Sequence, residues 1–193
     1  LIFSKYDLKQ DTPKEDLMKR IFLSLAVLSF LSIPALAQTP APNSEMYETP
    51  IIGEKGEAIG TLMIRGGANA LVARIAIKSG GLTPGWHGLH FHSVGDCSDV
   101  GKFLLSKGHV NHNEKKHGLL NGDGPDQGDL PNIFVIADGS VNAEVSSQLI
   151  RLSGDKGLRS PSGSALVIHA AEDDHASQPI GNAGARVACA VIK

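Results

Sequence analysis

The sequence predicts an all-β fold: an antiparallel sandwich or flattened barrel of about eight short strands, with two long functional loops. Three observations predict it. Apolar and polar residues alternate with a period of two through run after run. Clusters of Gly, Asn, Asp and Pro punctuate those runs. Helical periodicity is nearly absent, showing only weakly around 145–158. The 193 residues are 41% hydrophobic with a formal net charge of -2, which suits one soluble domain with a real core and something extra at the N-terminus. No basic run or basic-aromatic interleaving is present, so no nucleic-acid partner is expected.

The extra piece reads first. Met18-Lys19-Arg20 precedes "IFLSLAVLSFLSIPALA", which closes on Ala35-Leu36-Ala37. A basic start, an apolar stretch and a small-x-small end predict a signal peptide over 18–37, cut after Ala37. The apolar run sits at the lower length limit for a membrane span, and Pro34 lies near its end, so an anchor is the weaker reading. Residues 1–17 are polar, begin with Leu, and read as a non-native upstream extension ahead of a true start at Met18. Residues 38–44 read as a flexible leader and 45–193 as the folded domain. The expected location is periplasmic or secreted, with no membrane partner after cleavage. In an exported chain the two cysteines, Cys97 and Cys189, are expected to pair. Closing so long a loop stabilises by roughly 4 kcal/mol in the chain-entropy account.

The strands follow in order. "MYETPII" runs into the turn "GEKG". "EAIGTLMIR" sets Ala58, Gly60, Leu62 and Ile64 on one face. "ALVARIAIK" puts Leu71, Ala73, Ile75 and Ile77 on one face, Arg74 and Lys78 on the other. "SGGLTPG" is a turn, and "WHGLHFHSV" is expected as a single strand, with Trp86 given to packing. "NIFVIADGSVNAEV" reads as two strands of a hairpin joined at Asp138-Gly139. "GSALVIHA" and "ARVACAVI" complete the set. Segments of about 95–130 and 171–185 lack regular structure, and ordered loops of that length in a compact domain are usually functional.

All eight histidines fall at strand ends or in those two loops. In "HFH", His90 and His92 project from the same face of a strand, a chelating pair. His169 ends the apolar run "ALVIH" and can converge on the same point. With one loop histidine the set becomes four imidazole nitrogens, a donor set that suits copper. His109 and His117 with Asp129 offer mixed nitrogen and oxygen, which suits zinc. Two metals of different taste are expected.

Taken together, "GWHGLHFHSVGDC", "GHVNHNEKKHG", "GDLPN", "VIHAAEDD" and "GNAGARVACAVI" resemble the copper/zinc superoxide dismutase family, in particular its exported bacterial branch. The similarity runs over nearly all of 45–193. It implies an eight-stranded Greek-key flattened barrel, an immunoglobulin-like sandwich. It also implies an oxidoreductase that dismutes superoxide by alternating copper redox, with copper and zinc as cofactors. His90, His92, His109 and His169 match the copper ligands. His109 matches the histidine that bridges copper and zinc, gaining and returning a proton during turnover. His117 and Asp129 match zinc ligands. Asp173 matches the outer carboxylate linking a copper histidine to a zinc histidine, and Arg186 the arginine beside copper. Cys97 and Cys189 match the disulfide, and His87 a structural histidine. Both monomers and homodimers occur among exported members, so a homodimer stays open.

Two positions depart from the family. Its third zinc histidine is replaced by Asp126, which leaves a zinc set of His109, His117, Asp126 and Asp129. His112 stands where proline is usual and is expected in solvent, as is His175. The substrate is an anion and the chain is net negative, so a local positive funnel is needed. Arg186 and the metals form its floor, with Lys102 and Lys107 as candidate walls. The alternative function is an exported copper-binding or copper-transfer protein on the same fold, argued from a zinc site weakened by Asp126. A purely structural sandwich would leave the histidines unexplained.

Overall fold

The computed structural model describes residues 44–193. The expectations for 1–17 and 18–37, and for all of the leader but its last residue, lie outside the described residues. The described chain is all-β. Its strands are β1 (Glu45–Gly53), β2 (Ala58–Gly66), β3 (Leu71–Ile77), β4 (Gly85–His87), β5 (Leu89–His92), β6 (Ile133–Val135), β7 (Val141–Ser147), β8 (Ser164–His169) and β9 (Arg186–Ile192). One turn of 3-10 helix spans Leu104–Ser106. Every pairing is antiparallel. A curled sheet runs β5-β8-β9-β1-β2-β3-β7, and β4 and β6 form a second sheet.

Four details differ from the sequence expectation. The run 86–94 is two strands, which makes nine strands instead of eight. It breaks at Gly88, where the chain passes from one sheet to the other. A Cβ on Gly88 would lie 2.8 Å from Cβ of Ala183 and 3.2 Å from Cβ of Asp173, so the break lets the 171–185 loop close in. The turn at Asp138-Gly139 forms, but the strands on either side do not make a hairpin: β6 pairs with β4 and β7 with β3. In β2 the inward phase slips, because Ile51 pairs with Gly60 and Ile52 with Ala58. The skipped Ile59 is buried and Ala58 is exposed, as a β-bulge dictates. The weak helical signal at 145–158 corresponds to the end of β7 and a series of turns.

The main core collects Leu62, Ile64, Leu71, Ile75, Phe91, Leu166, Ile168 and Ile192. A second cluster joins Cys97, Phe103, Ala165, Val167 and Cys189. Strand β8 therefore contributes to both. Leu166 and Ile168 face the main core, while Ala165 and Val167 face the loop that follows β5. Burial on both faces explains why "ALVI", at the centre of this strand, is continuously apolar instead of alternating. The Cys97–Cys189 disulfide is formed and ties that loop to β9.

Candidate metal centre

Strand β5 positions the site. Its short alternation sends Phe91 into the core and turns His90 and His92 the other way, all three buried. One edge of β5 pairs with β8. The other edge takes the two ends of the zinc-side loop. The Phe91 N–H donates to the carbonyl of Gly128 (2.9 Å), and the Val110 N–H donates to the carbonyl of Phe91 (2.8 Å). His90 is thereby bridged to Asp129, and His92 to His109. The approach needs glycine at 128, where a side chain would collide with the Phe91 carbonyl.

These bridges assemble two groups. His90, His92 and His169 bring ring nitrogens within 4.8 Å of one another, and His109, His117, Asp126 and Asp129 do the same with ring nitrogens and carboxylate oxygens. The His109 ring spans both, with its centroid 4.2 Å from that of His90, 5.2 Å from His92 and 5.2 Å from His117. On the copper side four buried ring nitrogens have no hydrogen-bond partner: Nδ1 of His90 and Nε2 of His92, His109 and His169. The opposite nitrogen of each is engaged. His90 Nε2 meets Asp173 Oδ2 at 2.8 Å, His92 Nδ1 meets the Lys107 carbonyl at 2.7 Å, and His169 Nδ1 meets the Gly184 carbonyl at 3.0 Å. Buried polar atoms rarely go unpaired, and engagement of the far nitrogen fixes each tautomer so that the free one can ligate. The four nitrogens fit copper.

On the other side, His109 Nδ1 lies 2.8 Å from Asp126 Oδ2, and His117 Nδ1 lies 2.6 Å from Asp129 Oδ1. Two imidazoles and two carboxylates within one small volume fit zinc. Asp126 is held by its own geometry, since its Oδ1 accepts the Gly128 N–H at 2.8 Å. Asp173 joins the two groups: Oδ2 meets His90, and Oδ1 meets His117 Nε2 at 3.1 Å.

The electrostatics divide in the same way. Burial drives the His169 pKa down to about 3 and that of His92 well below its ordinary value, so both rings stay neutral and ready to ligate. At His117 burial also pulls downward, but Asp129 and Asp173 outweigh it and raise the ring to about 10. Burial alone would raise the Asp129 and Asp173 carboxyls, yet the facing imidazoles hold both well below the usual range.

Arg186 sits beside the copper-side group at the start of β9. Its Nη1 donates to the Phe103 carbonyl (2.7 Å) and Ser106 Oγ (3.0 Å), and its Nη2 donates to the Lys107 carbonyl (2.7 Å). Two cavities meet at this side chain. One, of about 340 Å³, reaches His92, His109, His117 and Asp126 and carries Lys115 on its wall. The other, of about 400 Å³, reaches His169 and carries Lys102. Arg186 and Ile180 line both. Lys107 lines neither; its contribution is the carbonyl that holds Arg186 and His92. Sequence reasoning missed Lys115 and Ile180, because nothing in the order of residues says which side chains form a cavity wall.

The remaining histidines separate cleanly. His87 is buried and packs its ring nitrogens against the carbonyls of His169 (2.6 Å) and Thr83 (2.8 Å), a structural role. His112 is exposed. His175, expected in solvent, is instead half-buried against Asp173. Trp86 packs edge-on against Phe134 (centroids 5.1 Å apart) and is half exposed.

A curled antiparallel sheet holding an all-imidazole group, a mixed imidazole-carboxylate group and a histidine shared between them defines a binuclear copper- and zinc-binding protein. The family model for copper/zinc superoxide dismutase (SODC) matches residues 58–192, and the chain belongs to that family. It is similar to "Superoxide dismutase [Cu-Zn]" of Caulobacter vibrioides, 46% identical over 142 residues that cover 72% of this chain and 80% of that one. The fold is similar to that of a SOD-like protein from Bacillus subtilis, with TM-score 0.71 and 31% identity over 76% of this chain and 97% of the other. It is also similar to the Cu/Zn superoxide dismutase from Brucella abortus, with TM-score 0.63 and 27% identity over 77% and 100%.

Proposed function

We propose that this chain dismutes superoxide, turning two superoxide anions and two protons into dioxygen and hydrogen peroxide. One observation carries the reading: four buried, unpartnered imidazole nitrogens gather on the copper side, and three of their rings, His92, His109 and His169, line the cavities that Arg186 lines. His90, His92, His109 and His169 hold the copper, and His109, His117, Asp126 and Asp129 hold the zinc. Copper supplies the one-electron couple that the reaction requires. The residues do the rest. Arg186 holds the anion by charge, and Lys102 and Lys115 extend the positive wall in an otherwise net-negative chain. His109 can hold and return a proton at Nε2, because Nδ1 stays engaged on the zinc side. Asp173 fixes the His90 and His117 rings by accepting a hydrogen bond from the Nε2–H of each.

A copper-transfer role on the same fold is the weaker reading. Such a protein has no need of an arginine tied by three hydrogen bonds at the rim of the site. The test is superoxide decay catalysed by purified 38–193 loaded with both metals, with copper and zinc counted on the same sample. Fast decay with one equivalent of each supports the enzyme. Tight copper with little zinc and slow decay supports transfer.

Export to the periplasm or medium, with cleavage after Ala37, belongs to the same proposal and is supported by the Cys97–Cys189 pair. The mass of the exported chain tests it. A homodimer is supported by Trp86 and Phe134, paired across β4 and β6, with Ile136 just beyond β6, all about half exposed. Sedimentation velocity tests that. Among the described residues no helix is long and apolar enough to cross a membrane.

A further inference from the structure

Asp173 links the two metal groups, and the structure shows what holds it. The Asn132 side chain clamps its backbone: Oδ1 accepts the Asp173 N–H (3.0 Å), and Nδ2 donates to the Asp173 carbonyl (2.8 Å). This double contact leaves no freedom to exchange the amide oxygen and nitrogen. The second hydrogen of Nδ2 points to the His175 ring, with Nε2 at 3.2 Å. Nε2 must therefore accept, and the ring proton sits on Nδ1. That Nδ1 is buried, has no hydrogen-bond partner, and lies 3.4 Å from Asp173 Oδ2. The backbone N–H of His175 donates to Asp173 Oδ1 at 2.7 Å. His175 takes a left-handed conformation (φ 59°), which turns both its N–H and its ring toward the one carboxylate.

We propose that His175, with its tautomer set by Asn132, is a positioning residue that tunes the copper couple through Asp173. The inference rests on the metal assignment under Proposed function. Asp173 Oδ2 accepts the His90 Nε2–H at 2.8 Å, and the His175 Nδ1–H, 3.4 Å from the same oxygen and outside hydrogen-bond geometry, draws on it by charge alone. Whatever density His175 draws from that oxygen is lost to His90, which becomes a weaker donor at Nδ1, the nitrogen that faces copper. Removing the ring gives His90 the whole oxygen, makes it more imidazolate-like, and favours oxidised over reduced copper. A residue that contacts a ligand directly typically changes metal affinity by about 10- to 100-fold. His175 acts one step further out, so the Cu(II) to Cu(I) affinity ratio should rise by about three- to tenfold when the ring is lost, extending the same relation outward.

The test uses the chain loaded with copper and zinc. The wild type is first shown to bind one of each; failure here refutes the metal assignment and the inference with it. His175→Gly then removes the ring while accepting the left-handed backbone without strain. The expected result is a Cu(II) to Cu(I) ratio raised about three- to tenfold in a redox titration, with the Cu(II) absorption band displaced, in proportion to the outward relation above. A purely structural residue would move neither. An unchanged ratio in a folded variant that still holds both metals overturns the inference and leaves the metal assignment standing. Should the variant not fold, ring ¹⁵N NMR of the reduced wild type decides. A proton on Nδ1 of His175 supports the proposal, and a proton on Nε2 overturns it.

Discussion

Asp126 Oδ2 lies 2.8 Å from Nδ1 of His109, on the ring edge opposite the nitrogen that faces the copper-side group. A second carboxylate on the zinc side replaces a neutral ring by a charge and makes that group harder. Asp126→Asn keeps the volume and the acceptor for the Gly128 N–H but removes the charge. Zinc affinity should fall by about 10- to 100-fold, and competition with a chromophoric chelator reads it. Unchanged affinity would take Asp126 out of the zinc set.

Arg186 has both a charge and a fork, and the two can be separated. Arg186→Ala should lower the rate at low ionic strength by about tenfold or more and flatten its salt dependence. Arg186→Lys keeps the charge but cannot span Phe103, Ser106 and Lys107, so it should keep the salt dependence with a reduced rate. Stopped-flow decay over a range of salt concentrations separates them. An unchanged rate for the alanine variant at low salt would refute the steering role.

In the metal-free chain, pH should act on stability from both sides. His169 and His92 have lowered pKa values because they are buried. Below about 6.5 the unfolded chain takes up protons that these rings refuse, so stability falls from there toward about pH 3. The Asp129 and Asp173 carboxyls are depressed by their histidine partners, and their contribution, present above about pH 4, is lost on further acidification. His117 is raised to about 10; its contribution is complete below about 6.5 and disappears as pH climbs through 10. Urea midpoints of the metal-free protein should peak near neutrality, and His92 and His169 should each cost up to about 1.4 kcal/mol per pH unit on the acid side. A flat profile from pH 7 to 4 would contradict this.

Zinc must displace the proton on His117 Nδ1, so binding near pH 7 should release protons and tighten as pH rises. Calorimetry in buffers of different ionisation enthalpy measures the number. Release of none would place zinc elsewhere.

Gly88→Ala should test the break between β4 and β5. Its Cβ would press on Ala183 and Asp173, at a cost of about 1–3 kcal/mol. Metal retention should drop as well, because Asp173 is displaced. Thermal melts with and without metals give both numbers.

The metal groups were legible because a strand and its period of two fix where His90 and His92 point, and because ligands are chemically distinctive. The fold class was legible from alternation and turns. Features that depend on partners distant in the chain were hidden. Nothing local tells that Asp138-Gly139 turns between two sheets, since the pairing is decided by β3 and β4. The Gly88 break is set by Ala183 and Asp173, some ninety residues away. His175 looked like a loop histidine because its partners, Asn132 and Asp173, come from another segment and from a carboxylate already assigned. Lys115 gained its place from cavity shape alone.

The two backbone bridges on β5 have a consequence for how such a site can change. His90 opposite Asp129 and His92 opposite His109 are registered by main-chain hydrogen bonds at Phe91, whichever residues lie between. The exposed stretch His112–Lys116 is therefore an insertion point: residues added there lengthen an arch whose feet are already nailed to a strand. The centre behaves as a portable cassette, whose transplantable unit is a four-residue strand with two loop ends clipped along one edge and β8, which brings His169, along the other. A host sheet able to offer both edges would inherit the spacing of the ligands together with them.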